Sequence, residues 1–282
     1  MIKIPKRKAD SNKGDYGRVL VLAGSPGFTG AAALCSQAAL VSGSGLVTLG
    51  IPKSLYTIMA RKLTEAMAMP LPETRGQALG EKAYPAIMKF SEKADCIALG
   101  PGLSRDPGTQ RLVRKLVTTL RKPVVLDADG INALEGKTEL LKRAQAPVVI
   151  TPHPGEMSRL TGLSVKRITA AKEKVAKEFA NKYNVVCVLK GHRTVVARPD
   201  GKRYVNPTGN PGMAKGGTGD VLTGMIASFI GQGMRPFDAA MLGVYLHGLA
   251  GDLAAKEKGE VSMLASDLLD RIPDAIKKLS SY

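Results

Sequence analysis

Asn206-Pro-Thr-Gly-Asn-Pro-Gly-Met-Ala-Lys-Gly-Gly-Thr-Gly-Asp220-Val-Leu-Thr-Gly-Met225 decides how the chain is read. Its first half is a loop, because Pro207, Gly209, Pro211 and Gly212 break regular structure. From Asp220 the apolar residues fall at Val221, Leu222, Met225, Ile226, Phe229 and Ile230, the i, i+3/i+4 spacing of a helix. Gly216, Gly217, Thr218 and Gly219 therefore stand where a loop becomes a helix N-terminus. The first N–H groups of a helix lack intrahelical partners and carry the positive end of its dipole. Such a site takes phosphate or another oxyanion, and glycines let the backbone come close. Asp220 is anomalous there. A first-turn acid favours the helix by a few tenths to about 1 kcal/mol, but beside a phosphate cradle it repels the ligand. As a base that takes a proton from a hydroxyl attacking phosphorus, it makes chemical sense.

Outward from this stretch, short apolar runs alternate with helical patterns. Val19-Leu-Val-Leu-Ala leads into Gly24-Ser-Pro-Gly and then a helix over 31–41. Leu46-Val-Thr-Leu-Gly-Ile is a second strand, followed by a helix over 55–63, an irregular stretch over 65–74 and a helix over 81–91. Cys96-Ile-Ala-Leu runs into Gly100-Pro-Gly-Leu, and an amphipathic helix over 109–120 precedes the strand that ends at Asp127. Pro147-Val-Val-Ile-Thr, a helix over 170–183 and Val185–Leu189 continue the alternation. Thr194-Val-Val-Ala and Arg203-Tyr-Val, joined through Pro199-Asp-Gly, read as a hairpin. Helices over 221–230, 236–255 and 265–279 close the chain. The expected fold is α/β: a three-layer α/β/α sandwich, its sheet mostly parallel with helices on both faces and an antiparallel hairpin at the edge. With no linker or repeat in view, residues 1–282 read as one domain.

Several polar residues fall at strand ends, where open α/β sheets bind ligands. Asp127 and Asp129 can hold Mg²⁺ through water; Asp129 can equally cap a helix. His153, framed by Pro152 and Pro154, suits a binding group. Glu156 either caps the following helix or positions metal-linked phosphate. Lys190 leaves the strand ending at Leu189, and His247 falls on a helix face as a structural histidine.

Composition excludes several function classes. At 44% hydrophobic and 23% charged, the 282 residues can bury a large core. The net charge of +17 raises nucleic-acid binding, but the basic residues are dispersed and aromatics make up only 4% with no Trp. A solvated basic surface that attracts anionic nucleotides is the better reading. The uncharged run between Arg18 and Lys53 is broken by glycines and serines, so no membrane span is expected. Cys35, Cys96 and Cys187 form no CxxC pair, giving neither a zinc site nor a disulfide framework, and buried thiols suit a reducing cytoplasm. The basic N-terminus lacks the apolar segment of a signal peptide.

Gly217-Thr-Gly-Asp220 resembles the Gly-(Ala/Gly)-Gly-Asp signature of the ribokinase-like superfamily. Asn206-Pro-Thr-Gly-Asn, Ala214-Lys-Gly-Gly-Thr-Gly-Asp, Thr151-Pro-His-Pro-Gly-Glu and Leu99-Gly-Pro-Gly-Leu, in that family's chain order, are similar to the ADP-dependent NAD(P)H-hydrate dehydratases. The likeness runs from about Lys13 to the C-terminus. It implies repair of hydrated NADH and NADPH, with ADP as co-substrate and Mg²⁺ as cofactor. The ring hydroxyl is phosphorylated and phosphate is then eliminated, leaving AMP. The catalytic residues it implies are Asp220 as base and the backbone of Gly217 and Gly219. Ala31, Gly102, His153 and Asp220 would contact the substrate, and Lys190, Gly191, His192, Arg193, Thr194 and Gly219 the nucleotide. Asp127 and Glu156 are the candidate metal partners. The resemblance also implies a homo-oligomer, with a tetramer as one form, and a separate NAD(P)H-hydrate epimerase as functional partner, since too few residues precede Lys13 to contain one. Two rivals stay open: a small-molecule kinase acting on hydroxyethylthiazole or hydroxymethylpyrimidine, and a non-catalytic nucleotide or nucleic-acid binder.

Overall fold

The computed structural model of the chain describes residues 4 and 7–280. Nine strands form within it: β1 (Arg18–Leu22), β2 (Leu46–Pro52), β3 (Met67–Leu71), β4 (Cys96–Leu99), β5 (Val124–Leu126), β6 (Val148–Ile150), β7 (Val186–Leu189), β8 (Val195–Ala197) and β9 (Arg203–Val205). They make one sheet in the order β3-β2-β1-β4-β5-β6-β7-β8-β9. Every pairing from β3 to β7 is parallel, whereas β7–β8 and β8–β9 are antiparallel. The chain steps outward from β1 through β2 to β3, then reverses to place β4 on the other side of β1. Strand order therefore switches at the β1/β4 boundary, where such sheets open a crevice.

The helices between and after the strands are α1 (Thr29–Val41), α2 (Tyr56–Lys62), α3 (Tyr84–Ser91), α4 (Pro107–Thr119), α5 (Ala128–Asn132) and α6 (Pro154–Thr161). They continue as α7 (Val165–Ala170), α8 (Lys172–Tyr183), α9 (Thr218–Gly231), α10 (Pro236–Lys258), α11 (Ala265–Asp270) and α12 (Ile272–Ser280). Successive strand side chains point to opposite faces, and β1 shows the result. Val19 and Val21 pack into a core with α1, α9 and α10, whereas Leu20 and Leu22 join a separate core with α4 and α8. This is the expected three-layer α/β/α sandwich, with the antiparallel hairpin at one edge. Among the described residues no helix is long and apolar enough to cross a membrane.

Three readings are corrected. The stretch over 65–74 contains β3, paired in parallel with β2 so that Pro70 stands opposite Ile51. Pro70 hid the strand, but a proline is tolerated on an outermost strand, where one side needs no ladder partner. The helix expected over 170–183 starts only at Lys172, because the backbone breaks at Ala171, with φ −124° and ψ 37°, and Ala170 instead ends the preceding helix α7. The last expected helix is divided at Arg271, because Pro273 belongs in the first turn of a new helix.

Candidate active site

The exits of β5, β6 and β7 and the N-terminus of α9 converge on one group of charges. At the end of β5 the backbone turns sharply, with Ala128 at φ +48°. Asp127 is 1% exposed there. Its Oδ1 lies 2.7 Å from Lys190 Nζ and its Oδ2 accepts from Thr223 Oγ1 at 2.8 Å. Lys190 comes from the exit of β7 and also lies 3.8 Å from Glu156 Oε2. Glu156 is held by the start of α6, where its carboxylate accepts from His153 N at 2.8 Å and His153 Nδ1 accepts from Gly155 N and Glu156 N. Residue 156 thus completes a capping box and contributes charge to the crevice as well. Asp129 is not the helix cap the sequence allowed: it lies inside α5, and its carboxylate accepts from Ser104 N and Asn132 Nδ2.

Asp220 is in the first turn of α9. The helix begins at Gly217 with φ +96°, a conformation that costs glycine little. A methyl on Gly217 would also stand 2.7 Å from Leu34 Cδ1 and 2.9 Å from Ala265 Cβ. Thr218 donates its hydroxyl to Met213 O at 3.0 Å and Lys215 O at 2.9 Å, closing the glycine loop onto the helix. A methyl on Gly219 would lie 3.4 Å from Lys190 Nζ and 3.8 Å from Asp127 Oδ2. The free N–H groups of α9 and the lysine ammonium therefore face the same space.

The electrostatics follow from burial with too many acids. Removal from water, reinforced by Asp127, raises the Asp220 carboxyl to about 7, and Lys190 only partly opposes this. Burial raises Glu156 to about 7 as well, against the pull of Lys190. Burial disfavours the Lys190 charge, but Asp127 and Glu156 prevail and hold it above the usual lysine value. A first-turn acid ordinarily has its pKa lowered by the helix dipole; Asp220 is displaced in the opposite direction.

Beside this group opens a cavity of about 490 Å³, lined by Lys190–Thr194, the 206–214 loop, Thr218, Gly219 and the α10 residues Val244, His247 and Gly248. Its outer wall is fastened to α10. Asn206 Nδ2 donates to Val244 O and Thr208 Oγ1 to Tyr245 O, while Gly209 N and Asn210 Nδ2 donate to the Asp252 carboxylate. The 190–194 loop is held from below by Lys172 Nζ, which donates to His192 O at 2.9 Å and Arg193 O at 3.2 Å. Gly191, His192 and Arg193 are exposed.

Ala31 and Gly102 meet on the opposite wall. Gly102, at φ +60°, leaves no room for a side chain: a methyl would stand 2.7 Å from Phe28 Cβ and 3.1 Å from Ala31 Cβ. Gly24 N donates to Pro101 O and Ser25 Oγ to Gly102 O, tying the exits of β1 and β4 together. Of the residues singled out in the sequence, Lys190–Thr194 and Gly219 line the cavity and Asp127, Glu156 and Asp220 gather around Lys190, whereas Ala31, Gly102 and His153 are not among the cavity's lining residues. Those the sequence reading left without a site role are Thr223, Lys172, Asp252 and His247. Thr223 had a signal, as a hydroxyl among the apolar neighbours of α9; the other contacts are long-range.

A mostly parallel α/β sandwich with a glycine-rich helix start and a strand-exit lysine lining one cavity, and an acid beside them, is the ribokinase-like architecture. It is shared with a ribokinase-like superfamily protein of Enterococcus faecalis at a TM-score of 0.82 and 30% identity, over 98% of this chain and 92% of that one. The chain matches the NAD(P)H-hydrate dehydratase family model over residues 19–274, and it belongs to that family. It is 49% identical over 277 residues to a bifunctional NAD(P)H-hydrate repair enzyme of Moorella thermoacetica, covering 98% of this chain and 52% of the relative. An ADP-dependent (S)-NAD(P)H-hydrate dehydratase of Bacillus subtilis is 38% identical over 275 residues, 98% of this chain and 94% of that one. The chain thus spans about half the length of its bifunctional relatives but nearly all of this one. The crystal structure of the ADP/ATP-dependent NAD(P)H-hydrate dehydratase from Bacillus subtilis, co-crystallised with ATP/Mg²⁺, superposes with a TM-score of 0.83 at 36% identity, over 98% of this chain and 94% of that one.

Proposed function

We propose that the chain catalyses ADP-dependent dehydration of hydrated NADH and NADPH. The observation that carries this reading is Asp220, a half-buried carboxylate raised to about 7 at a helix N-terminus that shares its space with Lys190. Asp220 accepts the proton of the ring hydroxyl as that oxygen bonds to the terminal phosphorus of ADP. The bond from phosphorus to AMP breaks, and the Gly217–Gly219 backbone with Lys190 stabilises the charge on the equatorial oxygens. The ring nitrogen lone pair then expels phosphate from the adjacent carbon, and loss of a ring proton restores the reduced nicotinamide. Ala31, Gly102 and His153 border the space for the ring; Lys190–Thr194 and Gly219 hold the nucleotide.

The same surroundings test the fit of Mg²⁺. Asp127 and Glu156 lie 2.7 and 3.8 Å from the Lys190 ammonium and Asp220 acts on it from farther off, an excess of negative charge that suits a divalent cation. Yet Asp127 has both oxygens engaged, and among the described residues no three potential ligands converge. The residues fit a cation held chiefly by phosphates and water, with Asp127 and Glu156 as its nearest protein partners. When bound, Mg²⁺ neutralises charge on the transferring phosphate.

The continuous sheet supports one catalytic domain over residues 1–282. Homo-oligomerisation, a cytoplasmic location and work alongside a separate epimerase belong to the same reading, supported by family membership. The test follows the absorbance band of the reduced nicotinamide. It should reappear from the hydrate when ADP and Mg²⁺ are supplied and stay absent when ADP is withheld. Recovery without any nucleotide would overturn the proposal.

A further inference from the structure

His247 lies outside the roles assigned so far. It is 8% exposed, on α10, and lines the nucleotide cavity. Its Nε2 is 2.8 Å from the carbonyl oxygen of Thr218, the first residue of α9. A carbonyl can only accept, so Nε2 carries the proton in this contact. Burial, aided by the nearby Lys190 charge, lowers the imidazole to about 4, and the Thr218 contact opposes this only in part. The ring is neutral throughout the neutral pH range, with its hydrogen aimed at α9.

This contact bears on the peptide between Thr218 and Gly219. In a trans peptide the carbonyl and the next N–H point in opposite directions within one plane. Holding Thr218 O toward α10 therefore directs Gly219 N–H away from it, toward the N-terminal opening of α9. That N–H has no intrahelical acceptor. The Thr218 hydroxyl is fixed independently on Met213 O and Lys215 O, so both ends of the residue are anchored. Donation to a peptide carbonyl also polarises its own N–H, by on the order of 10–30% per bond in hydrogen-bonded chains.

We propose that His247 is a positioning residue for phosphoryl transfer, a neutral imidazole that fixes and polarises the Thr218–Gly219 peptide so that Gly219 N–H meets the transferring phosphate. The inference rests on the reading of the site given above and goes beyond it by assigning α10 a part in transition-state stabilisation. In this role His247 acts through the Thr218 carbonyl on Gly219, not on the reacting atoms.

The test pairs His247→Leu, which removes the donor, with His247→Gln, whose amide nitrogen donates from a similar reach. Kinetics on the intact chain with ADP/Mg²⁺ and hydrate should show kcat lowered about 10-fold or more in His247→Leu, below the 10²–10³ of losing an oxyanion donor outright. The ADP dissociation constant by calorimetry should move less than about 3-fold. His247→Gln should recover most of kcat. In ¹⁵N–¹H spectra the Gly219 amide should shift downfield on addition of ADP/Mg²⁺ in the wild type and in His247→Gln, and much less in His247→Leu. An unchanged kcat in His247→Leu, or a His247→Gln variant as impaired as Leu at a wild-type melting temperature, would overturn the proposal. The imidazole nitrogens of the wild type give a result even if His247→Leu does not fold: a proton on Nδ1, or titration near 6.5, refutes it. Failure of the activity itself is seen separately, as absent turnover in the wild type with the Gly219 shift intact.

Discussion

The two walls of the crevice are built by different means. The wall formed by α9, α10 and the 190–194 and 206–214 loops is cross-linked by polar bonds at nearly every turn. Asn206, Thr208, Gly209 and Asn210 are all secured to α10, Thr218 to its own loop and to His247, and Thr223 to Asp127. The wall formed by the exits of β1 and β4 has two such bonds, from Gly24 N and Ser25 Oγ, and otherwise relies on close contact, with Gly102 wedged against Phe28 and Ala31. It leaves Phe28 55% exposed. The first wall is fixed by side-chain bonds reaching across elements; the second combines its two bonds at Gly24 and Ser25 with small residues and an exposed aromatic ring.

The comparison breaks most visibly at Asp220. Asp220→Asn keeps the side-chain shape, so stability should change by at most about 1 kcal/mol. Turnover should fall about 10²- to 10⁴-fold if the carboxylate is the base. Affinity for ADP should hold or tighten, because a negative charge beside the phosphates is gone. Steady-state kinetics with calorimetry checks both halves, and near-normal turnover would remove Asp220 from the mechanism.

Gly219→Ala sharpens the contrast from the opposite direction. The added methyl meets only ordinary contacts, 3.4 Å from Lys190 Nζ at nearest, and alanine is the better helix former by about 1 kcal/mol. The variant should melt at or above the wild-type temperature yet bind ADP about 10-fold more weakly, since the methyl occupies the approach of the phosphate. Equal affinity in titration would show that phosphate does not come to this turn.

Part of this division was legible in the chain and part was not. Apolar runs ending in Gly24, Gly100 and Asp127 announced strand exits, and the 206–225 stretch announced the helix start, because local sterics dictate those features. The charges of Asp127, Glu156 and Lys190 were visible as strand-end residues. Their mutual pairing was not, since it depends on β5, β6 and β7 lying side by side. The bonds from the Asn206–Asn210 loop to α10 escaped for the same reason, spanning 37 to 43 residues of sequence. β3 escaped because Pro70 and a half-exposed edge erase the alternation that marks a strand.

A smaller effect concerns Thr223. Thr223→Val keeps the volume but leaves Asp127 Oδ2 without its donor, which should cost about 1–3 kcal/mol in denaturant unfolding. Turnover should fall less than in Asp220→Asn, because Lys190 still holds Oδ1. A variant as stable as the wild type would mean that Asp127 needs no second partner.

The gentlest test varies pH. The carboxyls of Asp220 and Glu156, both near 7 in the folded protein, ordinarily lie near 4 when unfolded. Between those values the folded state binds more protons, so these two groups contribute stability that is full below about 4 and lost as pH rises through about 7. Melting temperature measured without nucleotide should therefore decline across that window, and the decline should shrink in Asp220→Asn. Activity should run the other way, rising through about 7 as the base ionises. A flat melting curve would contradict the burial of these acids.

The antiparallel return of β8 has one more consequence. In the parallel part of the sheet, a change in a strand's exit loop also displaces the helix that follows. The 190–194 loop instead joins two hydrogen-bonded neighbours, β7 and β8, and carries no helix. The exposed side chains of His192 and Arg193 can therefore vary with no following helix to displace, since the tie to α8 through Lys172 uses only their backbone carbonyls. Under the proposed function, nucleotide choice is open to revision by evolution or by a protein engineer at the exposed Gly191–Arg193 segment, while Lys190 keeps its pairing with Asp127.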